Sequence, residues 1–324
     1  MLALCASLTL ISLLKQNNVM KRREAAAVRD EWIRRRSEAF VEAASSATTA
    51  EAPTAAVKRL PDALIIGVKK AGTRALLEYL RLHPDVQAPG PEIHFFDRHY
   101  SRGLEWYRKQ MPATLPGQLC LEKTPAYFVR KEVPERVHRM STEIKLIIVV
   151  RDPVTRAISD YTQSYSKGRT KKRFEDMLFL SGDGKCFNQH WSAIRIGIYI
   201  RHLRKWLPWF PLSQLHFVSG EELITHPVEE VRRVEQFLRL SPFISPTFFS
   251  FNVSTTTNKR FPCVKRKPSD LNFRCLGKTK GRQHPQVSSK VLQDLRHFFH
   301  PFNQEFFTLV GRDFGWNWNN ASTT

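Results

Sequence analysis

Between Leu64 and Arg74 an apolar strand runs into a small-residue turn carrying Lys69 and Lys70, then passes through Ala71, Gly72, Thr73 and Arg74 straight into a helix. Such a turn builds an anion site. Free backbone N–H groups at the helix N-terminus point outward, the helix dipole favours negative charge there, and Lys70 adds a full positive charge. The spacing of Gly67 and Gly72 imitates the triphosphate loop G-x-x-x-x-G-K-[ST], yet Thr73 follows Gly72 and the lysines precede it. A phosphate or sulfate therefore belongs in this turn, in a loop of a different kind. One helix later, Pro91-Glu92-Ile93-His94-Phe95-Phe96-Asp97 gathers two carboxylates and an imidazole. Strand alternation would put Glu92 and His94 on one face, while His94 taken alone reads as a hydrogen-bonded core histidine beside Phe95 and Phe96.

The elements that must hold these residues alternate between strand and helix. Segment 63–66 reads as a buried strand, 73–82 as an amphipathic helix ended near His83-Pro84, and 119–122 as a further strand. The apolar run 145–150, bounded by Arg151-Asp152-Pro153, suits a central parallel strand feeding a helix with proline in its first turn. Segment 214–218 is another strand, and helices are expected at 194–207, 228–238 and 288–310. This order predicts an α/β fold, a central parallel sheet flanked by helices, with ligands where strand C-termini meet helix N-termini. The basic tracts 168–173 and 259–267 read as loops.

The loop at Lys70, the block at Glu92, Leu121-Glu122-Lys123-Thr124-Pro125-Ala126-Tyr127, Ile147-Ile148-Val149-Val150-Arg151-Asp152-Pro153 and Arg156-Ala157-Ile158-Ser159-Asp160-Tyr161-Thr162-Gln163 occur in the order found in the heparan sulfate glucosamine 3-O-sulfotransferases. Together with Arg274-Cys275-Leu276-Gly277-Lys278-Thr279-Lys280-Gly281-Arg282, they make the chain resemble that family from about Leu60 to Trp316. The resemblance implies a nucleotide-kinase-like strand–loop–helix site for 3′-phosphoadenosine 5′-phosphosulfate, with Lys70, Ala71, Gly72, Thr73 and Arg74 at its 5′-phosphosulfate. Arg151 and Ser159 match the pair on the 3′-phosphate, and their spacing, a strand end and two turns of helix, lets both meet one anion. Thr279, Lys280, Gly281 and Arg282 match a late loop closing on the donor.

By the same resemblance Glu92 is the general base, His94 and Asp97 orient it, and Lys70 and Lys123 are cations at the transferring group. Lys69, Arg74, Gln163, Lys167, Trp191 and Ser192, with Glu92 and Lys123, line the polysaccharide cleft. Gly90 and Gly277 occupy its two gate positions, the pairing of the subgroup that accepts iduronate 2-O-sulfated chains. No metal is obligatory, because a sulfuryl group carries less negative charge than a phosphoryl group and lysines with backbone donors can serve it. Ala71 replaces a common glycine, which is harmless only if that residue avoids positive φ, and the segment 251–260 is longer than the family pattern.

Composition agrees. The 324 residues, 42% hydrophobic and 11% aromatic, suffice for one large domain, and a net charge of +21 calls for a polyanionic partner. Heparan sulfate or heparin fits that charge, and nucleic acid is disfavoured by signs of an oxidising lumen. Those signs are Cys263 and Cys275, spaced for a local disulfide, and the sequons at Asn252 and Asn320. Cys120 reads as an inert core thiol. Residues 1–14 form an apolar signal- or anchor-like segment, shorter than the roughly 20 residues that span a bilayer. A basic, Ala/Ser/Thr-rich stem follows at 15–59, then the sulfotransferase domain at 60–318 and a tail at 319–324. These features predict an oxidising lumen, and the resemblance implies the Golgi, with a type II membrane protein if the first segment anchors it and an atypical or incomplete N-terminus. Two competing readings are a kinase-like phosphotransferase and a heparin-binding protein that keeps the fold without activity.

Overall fold

The computed structural model describes residues 55–180, 186–253, 260–266, 270, 272–275 and 282–316. Segment 1–14, nearly all of the stem, the gate residue Gly277, the donor-loop residues Thr279, Lys280 and Gly281, and the tail lie outside the described residues. From residue 55 onward the chain forms one compact unit.

The order begins β1 (Val57–Lys58), β2 (Ala63–Gly67), α1 (Thr73–Leu80), β3 (Val86–Gln87), α2 (Gly103–Gln110), β4 (Ala113–Thr114), β5 (Leu119–Lys123) and α3 (Val133–Met140). It continues through β6 (Lys145–Val150), α4 (Pro153–Ser166), α5 (Phe174–Leu178), α6 (Ser192–Arg195), α7 (Tyr199–Leu203), β7 (Leu215–Ser219) and α8 (Glu222–Thr225). The last elements are α9 (Pro227–Leu238), β8 (Phe249–Val253), β9 (Arg260–Val264) and α10 (Ser289–Val310). Strands β3-β5-β2-β6-β7 make a five-stranded parallel sheet, with Ala63 opposite both Leu121 and Lys145. Every residue of β2 is buried, so both faces of the sheet are covered, as a parallel sheet with crossover helices requires.

The chain leaves β2 toward β3 and β5, then crosses back past β2 to β6 and β7. That reversal opens a crevice at the strand C-termini. The residues following β2, β5, β6 and β7 all arrive at that edge. Asp152 caps α4, accepting hydrogen bonds from the N–H groups of Val154 (3.2 Å) and Thr155 (3.1 Å), with Pro153 in the first turn. This cap aims Arg151 and the first two turns of α4 into the crevice.

Two expected elements differ. The helix foreseen over 194–207 is split into α6 and α7 at Ile198, whose φ of −84° and ψ of 71° leave the helical region; Gly197 beside it packs where a Cβ would lie 3.0 Å from both Phe299 and Pro153. The basic tract 259–267 is not a loop throughout: Arg260–Val264 is a strand, paired antiparallel with Phe249–Val253. The Cys263–Cys275 disulfide and the backbone bonds between Val264 and Arg274 fasten this hairpin to the next segment.

One close approach ties the sheet to the lysine turn. A Cβ on Gly220, the residue after β7, would lie 2.2 Å from the Ala71 carbonyl oxygen and 3.0 Å from that of Val150. Gly220→Ala is therefore expected to cost about 1–3 kcal/mol by overpacking, read as a lower Tm in scanning calorimetry. An unchanged Tm would show that the turn retreats freely.

Candidate active site

The turn after β2 is built on two left-handed residues, Lys70 (φ 73°) and Gly72 (φ 121°). Ala71 lies between them, buried and without positive φ, so alanine is accepted where glycine is usual. Its N–H donates to Val68 O at 3.1 Å, closing the turn. No side chain caps the N-terminus of α1, whose first N–H groups remain available to an anion. Arg151 at the end of β6 and Ser159 on α4 line the same cleft, of about 840 Å3. Lys70, Gly72, Thr73, Glu92, His94, Gln163, Ser192 and Arg282 line it too. Among the described residues no cluster of His, Cys, Asp and Glu could hold a metal ion.

Opposite the turn lies a chain of charged groups. Lys123, at the end of β5 and 3% exposed, donates to Glu92 Oε1 at 2.6 Å. The other oxygen of Glu92 is 3.5 Å from His94 Nε2, and His94 Nδ1 is 3.0 Å from Oδ2 of the fully buried Asp97. Since a carboxylate can only accept, the hydrogen bond to Asp97 is donated by His94 Nδ1, and this contact fixes the ring with Nε2 on the Glu92 side. Glu92 and His94 do not share a strand face. The segment before Phe95 is irregular, His94 is left-handed at φ 55°, and a tight helical turn over Phe95–His99 brings Asp97 back under the ring.

Several expected cleft residues are otherwise employed. Lys69 borders the cleft, but its ammonium is 2.7 Å from Asp160, which also pairs with the fully buried Arg156 at 3.2 Å. Although burial raises the Asp160 carboxyl, Arg156 and Lys69 hold it below its ordinary range. Arg74 donates to Gly90 O at 2.7 Å and pairs with Glu78 at 2.6 Å, so it fastens the gate turn to α1. Lys167 is exposed at the C-terminus of α4, and Trp191 packs on Phe174 with ring centroids 5.4 Å apart; neither lines the cleft.

The cleft also holds Arg169, from the basic tract 168–173, and cations that motif reading missed: Arg98, Arg130, Lys131, Arg195 and Lys205. Their only sequence signal was the strong basic balance. His202, another wall residue, places Nε2 2.9 Å from Arg195 O. Below the array, desolvation pushes the fully buried Glu122 carboxyl up to about 7, against hydrogen bonds from Thr124 and Tyr107 that lower it.

Residues 60–304 match the sulfotransferase domain family. Mouse heparan sulfate glucosamine 3-O-sulfotransferase 3B1 is 54% identical over 260 residues, 80% of this chain and 66% of that protein. The human 3A1 protein of the same name is 51% identical over 281 residues, 84% of this chain and 68% of that one. The chain thus spans about two thirds of the length of these relatives. A sulfotransferase from Alicyclobacillus acidocaldarius shares the fold, with a TM-score of 0.59 at 21% identity over 79% of this chain and 97% of that one.

Burial pushes the His202 imidazole down to about 4. Folded His202 stays neutral where the unfolded chain is protonated, so its contribution is complete above pH 6.5 and is lost as pH falls toward 4. Relative to His202→Gln, wild type should lose about 1.4 kcal/mol per pH unit across that window, read from urea unfolding at pH 5 and 6.5. Parallel pH profiles for the two proteins would show that the ring does not titrate this way.

Proposed function

The chain belongs to the heparan sulfate glucosamine 3-O-sulfotransferase family, within the sulfotransferase-domain proteins, and from that premise we propose that it transfers a sulfuryl group from 3′-phosphoadenosine 5′-phosphosulfate to the 3-OH of glucosamine units in heparan sulfate. One observation carries this reading: Glu92 and His94, held from behind by the buried Lys123 and Asp97, line the same cleft as the uncapped lysine turn. The donor set fits a phosphosulfate nucleotide, with Lys70 and the α1 N-terminus for one anion and Arg151 with Ser159 for a second. The bound nucleotide supplies an activated sulfuryl group on a phosphate leaving group.

What the protein supplies is proton removal, charge and alignment. Glu92 takes the acceptor hydroxyl proton as the new S–O bond forms and the bond to phosphate breaks. Lys123 holds one Glu92 oxygen, and His94, fixed by Asp97, stands beside the other, so the carboxylate is aimed rather than free to rotate. Lys70 and the N–H groups of α1 stabilise charge developing on the leaving phosphate. The basic cleft residues meet the sulfates and carboxylates of the polysaccharide, consistent with the charge of +21. A Cβ on Gly90 would touch nothing within 4 Å, which leaves the gate open to a bulky sulfated sugar.

The disulfide and the sequons support an oxidising, glycosylating lumen and, with the family assignment, a place in the Golgi, reached through residues 1–14 as a signal or an anchor. Fractionation of cells expressing the full chain, with endoglycosidase treatment, tests this; a cytosolic, unglycosylated product would overturn it.

Transfer from radiolabelled donor to heparan sulfate, with the labelled position mapped, tests the activity itself. Glu92→Gln keeps shape but removes the basic oxygen, so turnover should fall about 100- to 10,000-fold while both ligands bind within a few-fold of wild type. Retention of more than about a tenth of turnover, far above that range, would remove Glu92 from the mechanism. Activity should also survive a chelator, because the cations named above supply the field a metal would otherwise give. An absolute requirement for a divalent ion would favour the kinase-like phosphotransferase.

A further inference from the structure

The segment that carries Glu92 belongs to no strand, so its backbone N–H groups have no ladder partners, and buried N–H groups must be satisfied. Two in succession find theirs in one place. The N–H of His94 donates to Thr124 Oγ1 at 3.3 Å and that of Phe95 donates to the Tyr127 hydroxyl at 2.9 Å, while the neighbouring Ile93 N–H lowers the Glu122 carboxyl. Both hydroxyls lead back to the same carboxyl group. Thr124 donates to Glu122 Oε1 at 2.5 Å, Tyr107 donates to Oε2 at 3.2 Å, and the nearby Tyr127 hydroxyl favours the charged carboxyl as well.

We propose that Glu122 is a positioning residue: with Thr124 and Tyr127 as its two hydroxyl relays, it fixes the 93–95 backbone and thereby aims Glu92 and His94. The proposal rests on the reading of Glu92 as the proton acceptor. Glu122 touches no substrate, being fully buried, and its partners here are neutral donors from α2, the turn after β5 and the Glu92 segment. A carboxylate can accept all of these donors at once, which an amide or a hydroxyl cannot. The sheet anchors the device, since the N–H of Thr124 donates to Ile65 O at 3.1 Å, at the root of the lysine turn. One ladder contact thus sets the height of the base relative to the anion site.

Because Glu122→Gln threatens folding, the relays provide the sharper test. Thr124→Val removes the hydroxyl at equal volume, whereas Thr124→Ser keeps the hydroxyl and loses a buried methyl. Thr124→Val and Tyr127→Phe are expected to lower kcat about 10- to 100-fold, the scale of a misplacement near 1 Å, with KM for donor and polysaccharide within about threefold. Thr124→Ser should return kcat to near wild type although its Tm is no higher than that of the valine variant. Amide hydrogen exchange should show faster exchange at His94 in Thr124→Val and at Phe95 in Tyr127→Phe. A kcat that follows Tm across the three variants, or a valine variant within twofold of wild type, would overturn the positioning role. A wild-type protein inactive on heparan sulfate would instead overturn the functional reading on which it stands.

Discussion

A buried ammonium needs an anion, and Lys123 finds one in Glu92 Oε1 at 2.6 Å. Much of the cleft depends on that contact. Lys123 is the last residue of a strand buried from Cys120 onward, so it cannot move without disturbing the sheet, whereas Glu92 lies on an irregular segment and remains 40% exposed. The rigid partner therefore positions the mobile one. The result is a carboxylate whose one oxygen is held by protein and whose other faces His94 and the open cleft, which is what proton removal from a bound hydroxyl requires.

The sheet converts this local contact into a site. Four strand ends deliver Lys70, Lys123, Arg151 and Gly220 to one edge, and the reversal of strand order leaves room between them. The room is narrow in one direction. Gly220 lies so close to the Ala71 carbonyl that the lysine turn is backed directly by the end of β7, and the N–H of Gly220 donates to Val150 O at 2.7 Å. Arg156, buried on α4, donates to the carbonyls of Lys69 and Ala193, so the helix carrying Ser159 is locked to the turn carrying Lys70. The two anion-binding elements thus keep a fixed separation, a condition for aligning reactants rather than merely binding them.

What the sequence disclosed, and what it hid, follows from the range of the forces involved. Strand β6 was legible to the residue because an apolar run ending in Arg-Asp-Pro has few alternatives, and the start of α4 because its proline is a local signal. The lysine turn was legible for the same reason. The partners of Lys69 and Arg74 were not, since Asp160 and the Gly90 carbonyl meet them only through tertiary packing. Hairpin β8–β9 was obscured by its basic residues, which read as loop although the backbone pairs. A left-handed His94 has no signature in residue type, and it is what turned an expected strand face into a tight bend. Glu122 passed unnoticed because it sits beside the recognisable Lys123 on the same strand and points to the other side.

The commitments of Lys69 and Arg74 change how the cleft should engage a polyanion. A cation already paired with a carboxylate has a partner to lose before it gains a sulfate, and its net contribution is correspondingly small. Lys69 is paired with Asp160 and Arg74 with Glu78, so both act first as struts. Among the described residues Arg130, Lys131, Arg169 and Arg195 line the cleft without such a carboxylate. Condensed counterions on a sulfated chain would be released chiefly against these. Attraction of such a polyanion would then be distributed over these cations, while the two paired cations hold the turn and the gate in place. Affinity and alignment are assigned to different residues, and a change in one need not disturb the other.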